Sequence, residues 1–198
     1  MFDALFTTTT EYKKLSHALS GKGACALFGL PASGRAQVYA ALCRQLDKPL
    51  CIVTPGEAEA TRFAADLNTL GIPAAVFPAR DYVLRPIEGT AREYEYRRLA
   101  VLGELVGGRM RAVAVPAEAL TQFTTPKEDF CANTRTLHAG DTLLRDDLLA
   151  ALFGAGYTRR AQVDGPGQFS VRGDIVDIFA PDQKMPVRME FWGDEIDT

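Results

Sequence analysis

A chain of 198 residues has room for one large domain or two small ones, each able to bury a core. Hydrophobic residues at 47% and charged residues at 24% are ordinary for a globular chain, and a formal net charge of −3 gives no global electrostatic reason to expect DNA or a membrane surface as the main partner. The cysteines Cys25, Cys43, Cys51 and Cys131 contain no C-x-x-C pair, and with only His17 and His138 beside them no zinc-site spacing can be assembled. Three of the four sit in apolar surroundings and read as small core residues of a reducing cytoplasm. The opening "MFDALFTTTTEYKKL" lacks the basic and apolar regions of a signal peptide, and no apolar run approaches the ~18 residues of a membrane span. A cytoplasmic protein without membrane attachment is expected.

In chain order, "ACALF" (24–28) is an apolar run that reads as a strand entering a glycine loop, and "RAQVYAALCRQL" (35–46) has helical spacing. "LCIV" (50–53) reads as the next strand. "TPGE" then spells a capping box, with Thr54 as N-cap, Pro55 at the first helical position and Glu57 at the third. Phe63, Ala64, Leu67 and Leu70 form that helix's apolar face, and Gly71 with Pro73 ends it. "AAVF" (74–77) is a third strand, 90–108 a charged amphipathic helix, and "RAVAV" (111–115) a fourth strand. Strands alternating with helices predict a parallel sheet of the α/β class.

The pattern changes near 118–125, where "TQFTTPKED" is polar and contains a proline, and a domain boundary is expected there. Beyond it, "TRTLHAGDTL" reads as a strand entering a helix capped by Asp141, and "LLRDDLLAALFGAGY" as that helix, ended by Gly154 and Gly156. Residues 159–195 show alternating polarity broken by Gly-Pro-Gly, Arg-Gly-Asp and Ala-Pro-Asp turns, which predicts a smaller α+β domain with an antiparallel sheet. The end, "VRMEFWGDEIDT", reads as a strand, a Gly-Asp turn and the opening of another element, as in a piece of a longer chain.

One motif bears on chemistry. In "FGLPASGRAQV" Gly29 and Gly34 have the spacing of the phosphate-binding loop G-x-x-x-x-G-K-[ST], but Arg35 stands in place of the lysine and Ala36 in place of the metal-ligating hydroxyl. A planar guanidinium does not replace a compact ammonium at so tight a site, and Pro31 removes a backbone N–H from the cradle. The strand "AVAVPAEAL" also offers only Glu118 where such an ATPase places an acid for magnesium. Gly29 and Gly34 therefore read as a tight strand-to-helix turn, and no cofactor is expected for this chain. Arginines 80, 85, 92, 97 and 98 interleave with Asp81, Glu88, Glu93 and Glu95, the pattern of a solvated helix face more than of a phosphate track.

"GQFSVRGDIVDIFAP" (167–181) followed by "PVRMEFWGDEID" (186–197) resembles a paired motif shared by UvrB, the damage-verifying helicase subunit of nucleotide excision repair, and the N-terminal region of bacterial transcription-repair coupling factor (Mfd). The departures in the loop favour the second, whose N-terminal module is similar to UvrB with its ATPase residues lost. UvrB's aromatic-rich DNA hairpin has no counterpart in the short stretch between Phe77 and Glu93. The resemblance implies a RecA/UvrB-like α/β domain at 1–120, completed by residues outside this chain, and a UvrA-binding domain like UvrB domain 2 at 121–198. It implies a non-catalytic, monomeric module that mimics UvrB to recruit UvrA to DNA damage where RNA polymerase has stalled. ATP and magnesium then belong only to the motor domains of a parent DNA translocase, which itself meets RNA polymerase and DNA. The alternative it leaves is a UvrB-type nucleotide-binding ATPase fragment.

Carried over by position, the resemblance assigns UvrA docking to Arg172 in "SVRGD", to Arg159 or the adjacent Arg160 in "GYTRR", and to Phe179 as an apolar anchor; arginine and aromatic residues are the usual hot-spot types. Ser170 stands where UvrB has the first arginine of F-R-V-R, which weakens the charge component. Each position has a second reading: Arg172 paired with Asp174 or Asp194 in a turn, and Phe179 as a core residue of the "IVDIF" strand.

Overall fold

The computed structural model describes residues 6–21, 24–46, 48–80 and 92–198. Two compact units emerge, one of Met1–Tyr82 with Glu104–Gln122 and one of Val83–Gly103 with Phe123–Thr198.

The first unit contains helices α1 (Thr10–Ser20), α2 (Ala32–Gln45) and α3 (Glu57–Thr69), strands β1 (Leu50–Thr54), β2 (Ala74–Val76) and β3 (Ala112–Pro116), and the single turn of helix α5 (Ala117–Leu120). Helix α4 (Glu93–Val106) crosses from one unit to the other between Gly103 and Glu104. The three strands are parallel in the order β1-β3-β2. Ala36, Ala40 and Cys43 of α2 and Ala60, Phe63 and Leu67 of α3 pack with Ile52, Ala112 and Ala114 of the sheet, where small side chains let the helices approach closely. On the other side of α2, Val38, Ala41 and Leu42 meet Tyr12 of α1. Arg111 ties the end of α2 to β3 by donating to the carbonyls of Cys43 and Leu46 at 2.6 and 2.8 Å, which satisfies acceptors the helix leaves open. Helix α3 ends in a Schellman motif: Gly71 at φ 77° bonds back to Asn68, and Ile72 to Leu67.

Three expectations are corrected. Residues 24–28 form no strand and are exposed, Phe28 at 87%, so the sheet has three strands. The capping box does not form: Gly56 is the N-cap of α3, and Thr54 closes β1 with its hydroxyl donating to the Gly56 carbonyl at 2.9 Å. Only Cys43 is buried, its thiol pushed up in pKa by burial, while Cys25, Cys51 and Cys131 are exposed. The expected lack of a DNA hairpin between Phe77 and Glu93 concerns mostly residues 81–91, which lie outside the described residues.

The second unit contains α6 (Lys127–Ala132), α7 (Arg145–Gly154) and strands β4 (Thr158–Arg159), β5 (Gln168–Arg172), β6 (Ile175–Phe179), β7 (Val187–Trp192) and β8 (Glu195–Ile196), ordered β4-β5-β6-β7-β8. The sheet is mixed, because β4 pairs with β5 in parallel while the other pairs are antiparallel. Leu148 and Leu152 of α7 press onto Phe169, Val176, Met189, Phe191 and Ile196, and Phe153 meets Phe169 edge-on at 5.1 Å. Helix α7 ends in a second Schellman motif, at Gly156 with φ 83°. Asp141 does not cap α7, whose N-cap is Leu144; its carboxylate accepts from the His138 N–H at 2.7 Å, and no strand forms at 134–141. The polar stretch at the expected domain boundary, 121–129, runs into α6, which begins at Lys127. Arg98 is no solvated cation: it is 7% exposed and donates to the Thr124 hydroxyl at 2.8 Å.

Candidate docking face

Two Gly-Asp turns build the face in the second unit. Arg172 pairs with Ile175 across Gly173-Asp174, and Trp192 with Glu195 across Gly193-Asp194. Both glycines have positive φ, 61° and 64°, as the first central residue of a II′ hairpin turn requires. Such two-residue turns fix register, and register fixes which side chains share a face. Phe169, Val176, Met189 and Phe191 point toward α7. The alternate residues, Ser170 and Arg172 of β5, Asp177 and Phe179 of β6, and Arg188, Glu190 and Trp192 of β7, point the other way.

At the centre of this second face, Ser170 is 1% exposed and donates its hydroxyl to Asp177 at 3.3 Å. Arg188 grips both oxygens of Asp177, Nε to Oδ1 at 2.7 Å and Nη2 to Oδ2 at 3.0 Å. That fork holds the Asp177 carboxyl below the usual carboxylate range, against the opposing effect of burial. A guanidinium is therefore present beside Ser170, delivered from β7.

Arg172 is exposed, and its Nη2 donates to the Ala161 carbonyl at 2.9 Å, which corrects the reading of an ion pair with Asp174 or Asp194. Asp174 is instead held by Arg145, which also donates to the Gly173 carbonyl at 2.9 Å and so braces the turn. Phe179 is half-buried, pairs with Gln168 and lies on the face away from the core cluster, so the reading of it as core is corrected. Arg159 and Arg160 differ in position. Arg159 pairs with Phe169 and shares its side of the sheet, whereas Arg160 lies just past the end of β4 and donates its N–H to the Phe169 carbonyl at 2.8 Å. Arg188 and Trp192 were not singled out from sequence; the period-two pattern of "VRMEFW", polar at 188 and 190 and apolar at 189 and 191, carried the signal.

The glycine loop of the first unit is arranged differently. Helix α2 begins at Ala32, before Gly34, and the Arg35 N–H is used inside the helix, bonded to the Pro31 carbonyl at 3.1 Å. Gly29 has φ 82° in the preceding turn. The Arg35 guanidinium stands 3.8 Å from Glu59, and Ala36 is 2% exposed in the core. In this arrangement the backbone donor at 35 and the side chain at 36 are committed to helix and core. Among the described residues, no group of three His, Cys, Asp or Glu side chains could hold a metal ion, and no helix is long and apolar enough to cross a membrane.

The family model described as "UvrB interaction domain" matches residues 136–198, the stretch that contains the whole five-stranded sheet. A transcription-repair-coupling factor of Mycobacterium bovis is 38% identical over 174 residues, covering 84% of this chain and 14% of that protein. One of Bacillus subtilis is 29% identical over 174 residues, covering 87% of this chain and 15% of that protein. UvrABC system protein B of Chlorobium limicola is 27% identical over 187 residues, covering 87% of this chain and 27% of that protein. The chain thus spans about a seventh of the length of the coupling factors it matches. Over about 85% of its length, the chain is homologous to the N-terminal region of transcription-repair coupling factors, and its residues 136–198 form a UvrB interaction domain.

Proposed function

We propose that this chain is a non-catalytic module that mimics UvrB and recruits UvrA to lesions where RNA polymerase has stalled, with translocation along DNA performed by motor domains elsewhere in the parent protein. The observation that carries the reading is the face described above: Arg172 and Phe179 share one side of the matched domain's sheet, opposite the side that packs on α7, with the exposed Arg160 just past the end of the neighbouring β4. Arginine forks recognise carboxylates in pairs and aromatic rings fill pockets, so a face of this composition suits an acidic, pocketed protein surface. The homology with coupling factors and with UvrABC system protein B supports a place within repair, and the arrangement of Arg35 and Ala36 supports a scaffold role for the first unit.

Calorimetry of the chain with purified UvrA, wild type against Arg172→Ala, tests the reading. Binding that the variant weakens tenfold or more, about 1.4 kcal/mol, is expected. Undiminished binding by the variant removes Arg172 from the site, and absence of wild-type binding by the folded chain removes UvrA as the partner.

A further inference from the structure

Trp192 is the chain's single tryptophan, and it is 83% exposed. It ends β7 opposite Glu195, on the same side of the sheet as Glu190 and Arg188, while its neighbour Phe191 is 5% exposed in the core. The second unit's packing makes no use of the indole. An aromatic side chain buries about 150–250 Å² when covered, so leaving one in water forgoes a large hydrophobic gain. The Gly193-Asp194 turn and the ladder to β8 hold its backbone in place, so covering the ring costs little ordering entropy. From Arg172 it is two strands across and two residues along, about 12 Å from sheet spacings, well inside an interface of about 800 Å² per partner. Phe179, the aromatic chosen from sequence, is half-buried and has less surface to offer.

We infer that Trp192 is the aromatic anchor of the docking face, seated in an apolar pocket of UvrA whose rim carries carboxylates for Arg160 and Arg172. The inference rests on the UvrA reading above and moves the anchor from Phe179 to Trp192. Tryptophan and arginine are the side chains most enriched at interface hot spots, and here they share one rigid face.

The test is calorimetry with purified UvrA on the 198-residue chain and its Trp192→Ala, Trp192→Phe and Arg172→Ala variants, together with fluorine NMR of the chain carrying 5-fluorotryptophan. A loss of at least about tenfold is expected for Trp192→Ala with an unchanged melting temperature, and retention within about threefold for Trp192→Phe. The single fluorine resonance shifts when UvrA is added. Wild-type binding and an Arg172→Ala loss, with Trp192→Ala within twofold and no fluorine shift, overturns the anchor and leaves the docking reading intact. If the alanine variant fails to fold, the fluorine resonance of the native chain decides. No binding by the folded wild type overturns the docking reading and the anchor with it.

Discussion

Two glycine-marked segments of this chain look alike in sequence and end differently in structure. In "GLPASGRA", two positions that would serve a phosphate loop are committed elsewhere: Arg35 uses its N–H inside α2 while its side chain stays exposed, and Ala36 is 2% exposed in the first unit's core. In "GPGQFSVRGD", glycines at φ 74° and 61° turn the chain sharply, and the strand between them alternates in side-chain direction, Phe169 toward the core and Arg172 outward and exposed. The difference is one of backbone geometry. A glycine inside a helix hands its neighbours to packing, whereas a glycine at a hairpin turn fixes register and leaves every second side chain on the free face.

The largest test of this contrast is Gly167→Ala. A Cβ there would lie 2.2 Å from the Tyr96 hydroxyl, and the residue sits at φ 74°. The left-handed backbone costs about 1–2 kcal/mol for any other residue, and overpacking against Tyr96 of α4 adds about 1–3 kcal/mol. Urea unfolding followed by near-ultraviolet circular dichroism reads the sum. Adding Tyr96→Ala should recover the overpacking share but not the backbone share; a loss below about 1 kcal/mol for Gly167→Ala alone would show that this turn tolerates side chains.

Gly34→Ala should have a far smaller effect. The residue lies in α2 with negative φ, and an added Cβ meets the Pro31 ring at 3.3 Å. Helix propensity favours alanine by up to about 1 kcal/mol, and the close contact takes back a similar amount. The net change in unfolding free energy is expected within about 1 kcal/mol of zero, whereas a loss beyond about 2 kcal/mol would mean that Gly34 serves a loop needing a bare backbone.

Much of the fold was legible because it is written in local signals. The α/β alternation of the first unit, the stops at Gly71 and Gly156 and both Gly-Asp turns follow from residues close in sequence. What was not legible depends on distant partners. The run 24–28 is apolar enough for a strand, but a strand exists only where a neighbour shares its hydrogen bonds, and among the described residues no strand pairs with it. Nothing within a few residues of Arg172 announces the Ala161 carbonyl, eleven positions away. The parallel β4–β5 pair and the delivery of Arg188 to Asp177 across a strand boundary are likewise products of topology. Of the candidate site, alternation could have found Arg188 and Trp192, while the choice between Arg159 and Arg160 needed the register of β4.

The smallest expected effect concerns the centre of the docking face. Arg188 lowers the pKa of Asp177, so the unfolded chain binds the proton more readily than the folded one. The pair's contribution is therefore fully present above the ordinary aspartate pKa of about 3.9 and is lost as pH falls through the depressed folded value. Its size is limited, because the Arg188 side chain is 56% exposed and water and salt screen it. Asp177→Asn should lower the urea midpoint slightly at about pH 6, and the gap from wild type should close only as the pH falls below the depressed folded value, where the carboxyl of wild type is protonated as well. A gap that persists in acid would assign the effect to the hydrogen bond from Ser170 or to packing, since a neutral carboxyl and an amide then differ in shape and donors but no longer in charge. A gap that closes with pH, and also shrinks in high salt at neutral pH, would identify the free face as held by charge where the opposite face is held by its apolar core.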